Sequence, residues 1–580
     1  MVDAEKDAAV APIVDIAPTK HVDPTLEKHG HDADEAMKVF EDIHGEAIEL
    51  DEATNRRLLR TIDWHMMPIM CCVYGMNFLD KTTLSYASVM GLKQDLNLQG
   101  DQYQWLGSLF YFGYLAWEYP TNRLLQRLPL GKYSAACIVI WGLILACFAA
   151  VENFSGAIAI RIFLGIFESA VTPGFALITS QWYTKKEQGS RVNIWFSFNG
   201  VGQILGGVVA YGIAIGTKHH ESSIAPWKIV FLFTGVLTVV LGLIFLWIVP
   251  DNQLNARWLK KEDRVLAVAR VRVNQQGIGN KHFKMYQVKE ALMDPIPWAF
   301  FFYALIADIP NGGLTNFFSL LVSSSSSWEL ICCKSPGDLS NAGIQITGFG
   351  FTAEQSLILG VPGGVVEVIA LLLNGYVGHI TNQRLLSSLG GLATAILGVI
   401  LIVALPESYN VGRLIGYYMT QASPTSFVAL LAMISSNVAG YTKKTTVAAM
   451  YLIGYCVGNI IGKLSKKIPM DTHELVSCLQ QASWRQSCRL RAKRWKVACL
   501  CQVSSDPDIA NSKSHLPTAG PQTFRPQDAP HYTPAVITII VCYFLSLCIT
   551  VFIWWWYRRE NARKAEIQAR PDYVRLENQE

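Results

Sequence analysis

Long apolar runs separated by short polar connections set the pattern of this chain. Runs near 66–86, 104–125, 133–151, 155–179, 193–215 and 227–249 are each about 20 residues long, the length a helix needs to cross the hydrocarbon core of a bilayer. A polar stretch from Pro250 to Pro295 follows, then six more runs near 297–321, 354–377, 386–404, 412–436, 444–462 and 534–557. The expected fold class is an all-α polytopic membrane protein, with 12 transmembrane helices in two six-helix bundles joined by a linker. The pattern divides the chain into an N-terminal tail (1–60), a first bundle (61–250), a central loop (251–296), a second bundle (297–557) and a C-terminal tail (558–580).

Composition sharpens this reading. Of 580 residues, 51% are hydrophobic and only 16% are charged, which is too apolar for an ordinary soluble protein of this length. The net charge of +4 is small, and the basic residues sit in clusters between apolar runs, so the expected surroundings are a lipid bilayer and not a nucleic acid. Residues 1–60 are rich in Asp, Glu, Lys and His and hold no apolar core, so a disordered tail is expected there, with targeting left to the first span.

The basic clusters also predict orientation. Arg56, Arg57 and Arg60 precede the first run, Arg123, Arg127 and Lys132 follow the second, and Lys185, Lys186 and Arg191 follow the fourth. The central loop carries Arg257, Lys260, Lys261, Arg264, Arg270 and Arg272, and Arg558, Arg559, Arg563 and Lys564 follow the last run. By the positive-inside rule both termini are cytoplasmic, in a multi-pass protein of the cell membrane. Trp554, Trp555, Trp556 and Tyr557 supply an aromatic anchor at the final interface, and the sequon Asn153-Phe154-Ser155 falls outside but close to the membrane.

Charges inside the runs point to function. Arg161 and Glu168 stand seven apart, so on a helix of 3.6 residues per turn they share a face. Asp80 and Lys81 lie in the first run and Glu118 in the second. Intramembrane charges are costly and usually mark a substrate or proton path. The alternative reading is structural: Arg161 with Glu168 and Asp80 with Lys81 as locking pairs, and Glu118 at a bend before Pro120. In the fifth run, Gly200, Gly202, Gly206 and Gly207 favour close helix packing, while Asn199 and Gln203 share a face suited to gluing helices or hydrogen-bonding a substrate. In the second half, Glu367 and Asn374 follow Pro362-Gly363-Gly364, Asp308 and Asn311 flank an expected break at Pro310, and Tyr417 and Gln421 share a face.

No phosphate-binding G-x-x-x-x-G-K-[ST] loop occurs, so an ion gradient is the simpler energy source. No nucleophile-base set or metal spacing appears either, so neither an enzyme nor a cofactor is expected.

Two segments break the pattern. Val322–Gln345 holds a serine run and Cys332-Cys333, and Lys463–Ala519 places Arg485, Arg489, Arg491, Lys493, Arg494 and Lys496 on the expected outside. Both are expected to be translated introns. Val322-Ser323 permits the codons GTAAGT, Ser340-Asn341 permits TCTAAC and Gln345 permits CAG: a donor, a branch point and an acceptor. Gly462-Lys463 (GGTAAG), Ala510-Asn511 (GCTAAC) and Ala519-Gly520 (GCAGG) permit the same, and splicing there restores one glycine before Pro521. The rival is a genuine extracellular insertion.

Several phrases resemble one family. Asn77-Phe-Leu-Asp-Lys-Thr, Tyr111-Phe-Gly-Tyr-Leu-Ala-Trp-Glu-Tyr-Pro-Thr-Asn, Arg161-Ile-Phe-Leu-Gly-Ile-Phe-Glu-Ser and Pro250-Asp-Asn-Gln-Leu-Asn-Ala-Arg-Trp-Leu resemble the fungal allantoate permease family, in the anion:cation symporter branch of the major facilitator superfamily. Gly348-Phe-Gly-Phe-Thr-Ala-Glu-Gln-Ser-Leu, Gly375-Tyr-Val-Gly-His-Ile-Thr-Asn-Gln-Arg and Gly520-Pro-Gln-Thr-Phe-Arg extend the resemblance, which covers about 56 to 570 without the two odd segments. It implies two pseudo-symmetric six-helix halves working by alternating access, with the site between them.

The resemblance also implies proton-coupled uptake of a small organic anion, such as allantoate, nicotinate, pantothenate or a small peptide, by a carrier expected to be monomeric. Lys81, Arg161 and Glu168 match the positions that line the site in related anion transporters. The expected substrate-binding set is Lys81, Arg161, Asn199, Gln203 and Glu367, and the expected proton-coupling set is Asp80, Glu118 and Glu168. The superfamily's acidic loop motif is degenerate, with Asn122-Arg123 in place of Asp-Arg. An exporter of a fungal secondary metabolite and a non-transporting nutrient receptor are the rival functions. The intron reading has a direct test: sequencing of cDNA is expected to recover transcripts lacking both segments, and transcripts that uniformly retain them would refute it.

Overall fold

The apolar runs fold as helices that extend beyond the predicted spans. The computed structural model describes residues 51–99, 102–219, 224–272, 284–322, 353–381, 383–406, 409–438, 440–464 and 533–568. The tail before residue 51, the C-terminal end after 568 and all but the first residues of the two suspected introns lie outside this set.

The first half comprises α1 (Glu52–Val89), α2 (Leu92–Asp95), α3 (Gln102–Arg127), α4 (Leu130–Cys147), α5 (Phe154–Glu168), α6 (Val171–Trp182), α7 (Lys185–His219) and α8 (Pro226–Ile248). Asn153 caps α5, its side chain accepting the Gly156 amide at 2.8 Å, which ties the sequon asparagine to the helix start. The central loop is partly helical, with α9 (Lys261–Arg272) and α10 (Met285–Met293). The second half comprises α11 (Pro295–Val322), α12 (Ala353–Ile358), α13 (Val361–Thr381), α14 (Arg384–Ala404), α15 (Asn410–Thr420), α16 (Pro424–Asn437), α17 (Tyr441–Leu464) and α18 (Thr533–Gln568).

Among the described residues, eight helices are long and apolar enough to cross a membrane, or nine if α10 and α11, bent by 69° at their junction, form one span. The three remaining runs fall on α1, α3 and the pair α15 and α16. The first two carry buried polar groups, Asn77, Asp80, Thr82 and Thr83 on α1 and Ser108, Glu118 and Asn122 on α3, and the third is split into two short helices. Hydropathy thus weakens where polar groups face the interior.

The expected break at Pro310 is not an interruption: α11 runs unbroken with the proline inside it. Prolines are tolerated inside packed spans, and two residues on, Gly312 lies so close to α17 that an added Cβ would sit 2.6 Å from the Asn459 carbonyl oxygen. Breaks fall instead at Ser169-Ala170, between α5 and α6, at Leu359-Gly360, between α12 and α13, and at Gln421–Ser423, between α15 and α16.

The halves meet chiefly along α7 against α13, α3 against α17 and α1 against α11, and α7 also packs on α12 and α16. The α7 glycines make the first contact close, since a Cβ on Gly200 would lie 2.3 Å from the Gly364 carbonyl oxygen and one on Gly207 would lie 2.7 Å from that of Leu357. Gly202 meets the Gly75 carbonyl oxygen of α1 in the same way, at 2.3 Å, so α7 is wedged between α1 and α13. The loop helix α9 clips the base of the first half. Arg57 pairs with Asp263 at 2.6 Å, and Arg270 pairs with Glu187 while donating to Asn55 Oδ1 at 2.6 Å. Asp263 beside it holds the Arg57 guanidinium above its ordinary range.

Within the first half, α3 and α5 approach backbone to backbone. A Cβ on Gly165 would lie 2.0 Å from the Phe110 carbonyl oxygen, and one on Gly113 would lie 2.2 Å from that of Ile162. Gly165→Val is therefore expected to cost about 1–3 kcal/mol or more through overpacking and to lower the melting temperature of the purified protein in detergent by several degrees. Gly212→Ala, a control at a glycine with nothing within 4 Å of the added carbon, is expected to leave it unchanged.

Candidate functional site

The site begins on α1, where Asn77 and Lys81 are one turn apart and face α5. Lys81 Nζ lies 2.9 Å from Glu168 Oε1 and donates to Asn77 Oδ1 at 2.7 Å. The Asn77 amide closes the triangle by donating to the same Glu168 oxygen at 2.8 Å. Glu168 ends α5 and is fully enclosed, whereas the Lys81 side chain keeps 15% of its surface. The acid is thus held behind the base, and only the base reaches the space beyond.

Asp80, next to Lys81, points the other way and accepts the Trp141 indole N–H at 2.9 Å. Arg161, on the same face of α5 as Glu168, donates from Nε to the Leu106 carbonyl at 3.1 Å, and its guanidinium lies 5.4 Å from the Phe110 ring centre. Asp80, Glu168 and Arg161 lie near enough to act on one another electrostatically. Among the described residues Asp80 Oδ1, Glu168 Oε2 and Arg161 Nη1 are buried with no hydrogen-bond partner. Buried polar atoms of this kind cost free energy unless they exchange protons or partners.

Beyond Lys81 lies a cavity between the halves, with about 1290 Å³ of empty space including its mouth. Lys81, Asn199, Gln203 and Glu367 line it, while Arg161, Asp80, Glu118 and Glu168 do not. Of the expected substrate set, four residues therefore share one cavity, and Arg161 stands behind its wall. Gln203 Nε2 donates to the Gly360 carbonyl at 2.9 Å, so it also bridges the halves at the break before α13. The Asn199 amide lies beside the Glu367 carboxylate, which is 2% exposed. Glu118 is apart from the Lys81 cluster, with Asn122 donating to its Oε1 at 2.8 Å. Asn374, seven residues beyond Glu367, bonds Asn193 of α7 at 3.1 Å and serves the contact between halves. Tyr417 and Gln421 both line the cavity.

Two kinds of lining residue exceed the expected set. Asp308 of α11 lines the cavity, takes the Asn311 amide on Oδ1 at 3.3 Å and leaves Oδ2 buried without a partner among the described residues. Tyrosines dominate the wall: Tyr74, Tyr86, Tyr111, Tyr114, Tyr303, Tyr455 and Tyr543 join Tyr417. Tyr111 and Tyr455 bring their hydroxyls to 3.5 Å across the halves. A signal for part of this wall was present in the sequence, since Tyr74, Phe78, Lys81, Thr82 and Ser85 form a stripe at helical spacing along α1.

A cavity between two helical halves, walled by aromatics and carrying a few convergent charges, suits a small polar solute. Among the described residues no group of His, Cys, Asp and Glu could hold a metal ion.

Comparison with known proteins agrees. Residues 70–462 match the Major Facilitator Superfamily. The chain is 38% identical over 522 residues to an uncharacterized transporter of Schizosaccharomyces pombe, covering 90% of this chain and 85% of that protein. It is 34% identical over 548 residues to the allantoate permease of Saccharomyces cerevisiae, covering 92% and 85%. The thiamine pathway transporter of the same yeast is 28% identical over 518 residues, covering 88% and 82%. The chain is a multi-pass membrane transporter, not an enzyme. On these matches it belongs to the major facilitator superfamily, in the family of the fungal allantoate permease.

Proposed function

We propose that this transporter takes up a small organic anion together with protons, and that Glu168 couples the two by controlling Lys81. The observation that carries the reading is the 2.9 Å pair itself, with Lys81 at the cavity wall and Glu168 buried behind it. When Glu168 is ionised, it neutralises Lys81 and the cavity offers an anion little. When Glu168 takes a proton, the ammonium loses its partner and is free to draw a carboxylate from the cavity. Proton and anion then bind together, which is symport.

Asp80 and Arg161 complete the device behind the wall. Asp80, with an unpartnered oxygen near Glu168, is a second station for the proton. Arg161 supplies a fixed positive charge that limits the cost of holding two carboxyl groups together. Asn199, Gln203 and Glu367 shape the opposite wall, while Glu118, held by Asn122, is assigned to proton coupling only as a more distant carboxyl. The orientation that accompanies this reading has both termini in the cytoplasm of a twelve-span monomer in the plasma membrane, on the basic clusters described above.

The relatives supply the first substrates to try, since one bears the name allantoate permease. Uptake of labelled allantoate, nicotinate and pantothenate into yeast expressing the full chain, at about pH 5 and about pH 7, is expected to be acid-stimulated for one of them. Glu168→Gln is expected to remove the pH dependence and net accumulation while retaining exchange of substrate for substrate, because Lys81 is then permanently free. Lys81→Ala is expected to lower uptake at least tenfold, on the order of the loss of one charged hydrogen bond. Absence of uptake from protein verified at the plasma membrane would favour an exporter. Acid stimulation that persists in Glu168→Gln would remove Glu168 from the coupling step.

A further inference from the structure

The cavity is electrically lopsided. Its first-half wall presents Lys81, whereas its second-half wall presents two carboxyl groups, Asp308 and Glu367. Glu367 is flanked by the Asn199 amide. Asp308 is 6% exposed, one oxygen takes the Asn311 amide, the Asn459 side chain lies beside the carboxyl group, and Oδ2 has no hydrogen bond of good geometry among the described residues. Asp308 lies close enough to Lys81 to feel its charge across the cavity.

A buried carboxylate oxygen without a donor is costly, and a ligand that brings an N–H to it recovers that cost. When ionised, the same oxygen repels an incoming carboxylate, and the repulsion is large where water is scarce. A solute bound carboxylate-first to Lys81 therefore meets, at its far end, a wall that rewards N–H donors and penalises a second negative charge.

We propose that Asp308 is a specificity-determining residue. It selects substrates that carry an N–H donor, either an amide or an ammonium group, opposite their carboxylate, and it rejects dicarboxylates of the same length. This rests on the transport reading in taking Lys81 as the carboxylate's partner, so the probes are measured at the acidic pH at which that reading has Glu168 protonated and Lys81 free.

Three probes of similar length test it by thermal stability of the purified full-length protein in detergent: glutaramate, γ-aminobutyrate and glutarate. Glutaramate and glutarate differ only in an amide nitrogen replacing a carboxylate oxygen. Glutaramate or γ-aminobutyrate, or both, is expected to raise the melting temperature with a saturable dose dependence, and the responding probe tells amide from ammonium. Glutarate is expected to have little effect. In Asp308→Asn the responding probe is expected to bind about tenfold more weakly and glutarate to gain affinity, so that the discrimination collapses.

The proposal is overturned if glutarate stabilises the wild-type protein as well as glutaramate does. It is overturned equally if none of the three stabilises it, or if Asp308→Asn keeps the wild-type preference. The wild-type comparison needs no variant, so a folding defect in Asp308→Asn leaves the idea open to refutation. Because this assay involves no proton gradient, its failure leaves acid-stimulated uptake standing, and loss of coupling leaves the probe preference standing.

Discussion

A lysine on α1 and a glutamate on α5, 2.9 Å apart in the interior of the first half, are the constraint around which that half is arranged. An isolated charge at the centre of a bilayer costs about 3 kcal/mol or more, and pairing lowers the cost of placing either group there. The pair fixes α1 against α5, and Asn77 holds both members at once, which leaves little rotational freedom at that level of the bundle. Trp141 of α4 and the Leu106 carbonyl of α3 then orient the neighbouring charges, Asp80 and Arg161. Four helices thus converge on one polar cluster. Apolar packing alone, being non-directional, would not specify their register. The backbone-to-backbone approach at Gly113 and Gly165 belongs to the same constraint, because it brings α3 close enough for its carbonyl to receive the guanidinium.

The second constraint is the seam between halves. The wedge of α7 between α1 and α13 depends on glycines whose neighbours are carbonyl oxygens, and contacts of this kind tolerate no larger residue. Polar links along the seam include Gln203 to a carbonyl at the helix break, Asn193 to Asn374, Gln126 to Thr442, Arg384 to the Lys185 and Lys186 carbonyls, and the Tyr111 and Tyr455 hydroxyls at the edge of hydrogen-bond distance. On the proposed reading, close packing joined by side-chain links of this kind suits halves that rock against each other.

How much of this was legible in the sequence depended on whether the signal was periodic. Apolar runs mark helices plainly, and every predicted span falls on helical residues except at the ends, although three of them are interrupted by the breaks at Ser169-Ala170, Leu359-Gly360 and Gln421–Ser423. The seven-residue spacing of Arg161 and Glu168 correctly put both on the inward face of α5, but spacing on one helix does not say which neighbour each will meet. Glu168 met Lys81, whereas Arg161 turned to a backbone carbonyl. The loop between halves reads as polar, yet α9 buries Arg270 against three elements, a tertiary role that local pattern does not encode. At Pro310 local chemistry misled in the opposite direction. A proline flanked by Asp308 and Asn311 reads as a helix break, but the helix continues through it, packed closely on α17, and Asp308 lines the cavity. The tyrosine wall escaped for a related reason. Aromatic residues in a span suit lipid, interface or cavity equally well, and only the assembled faces decide among them.

The lopsided charge of the cavity bears on how binding and movement are linked. On the proposed reading, a solute joins Lys81 on one half to carboxyl and amide groups on the other, so its two ends pull on separate rigid bodies. Binding energy realised only when both ends are engaged favours the arrangement in which the halves close on the solute. A solute lacking the second pole engages one half alone, and its binding energy is nearly the same in either arrangement, so it shifts the equilibrium little however tightly it is held. Selectivity for the far end of the substrate and commitment to transport are then one property of the cavity. On the proposed reading Glu168 enters the same balance from behind the wall, since its ionisation state would decide whether Lys81 is paired or free to meet the near end of the solute.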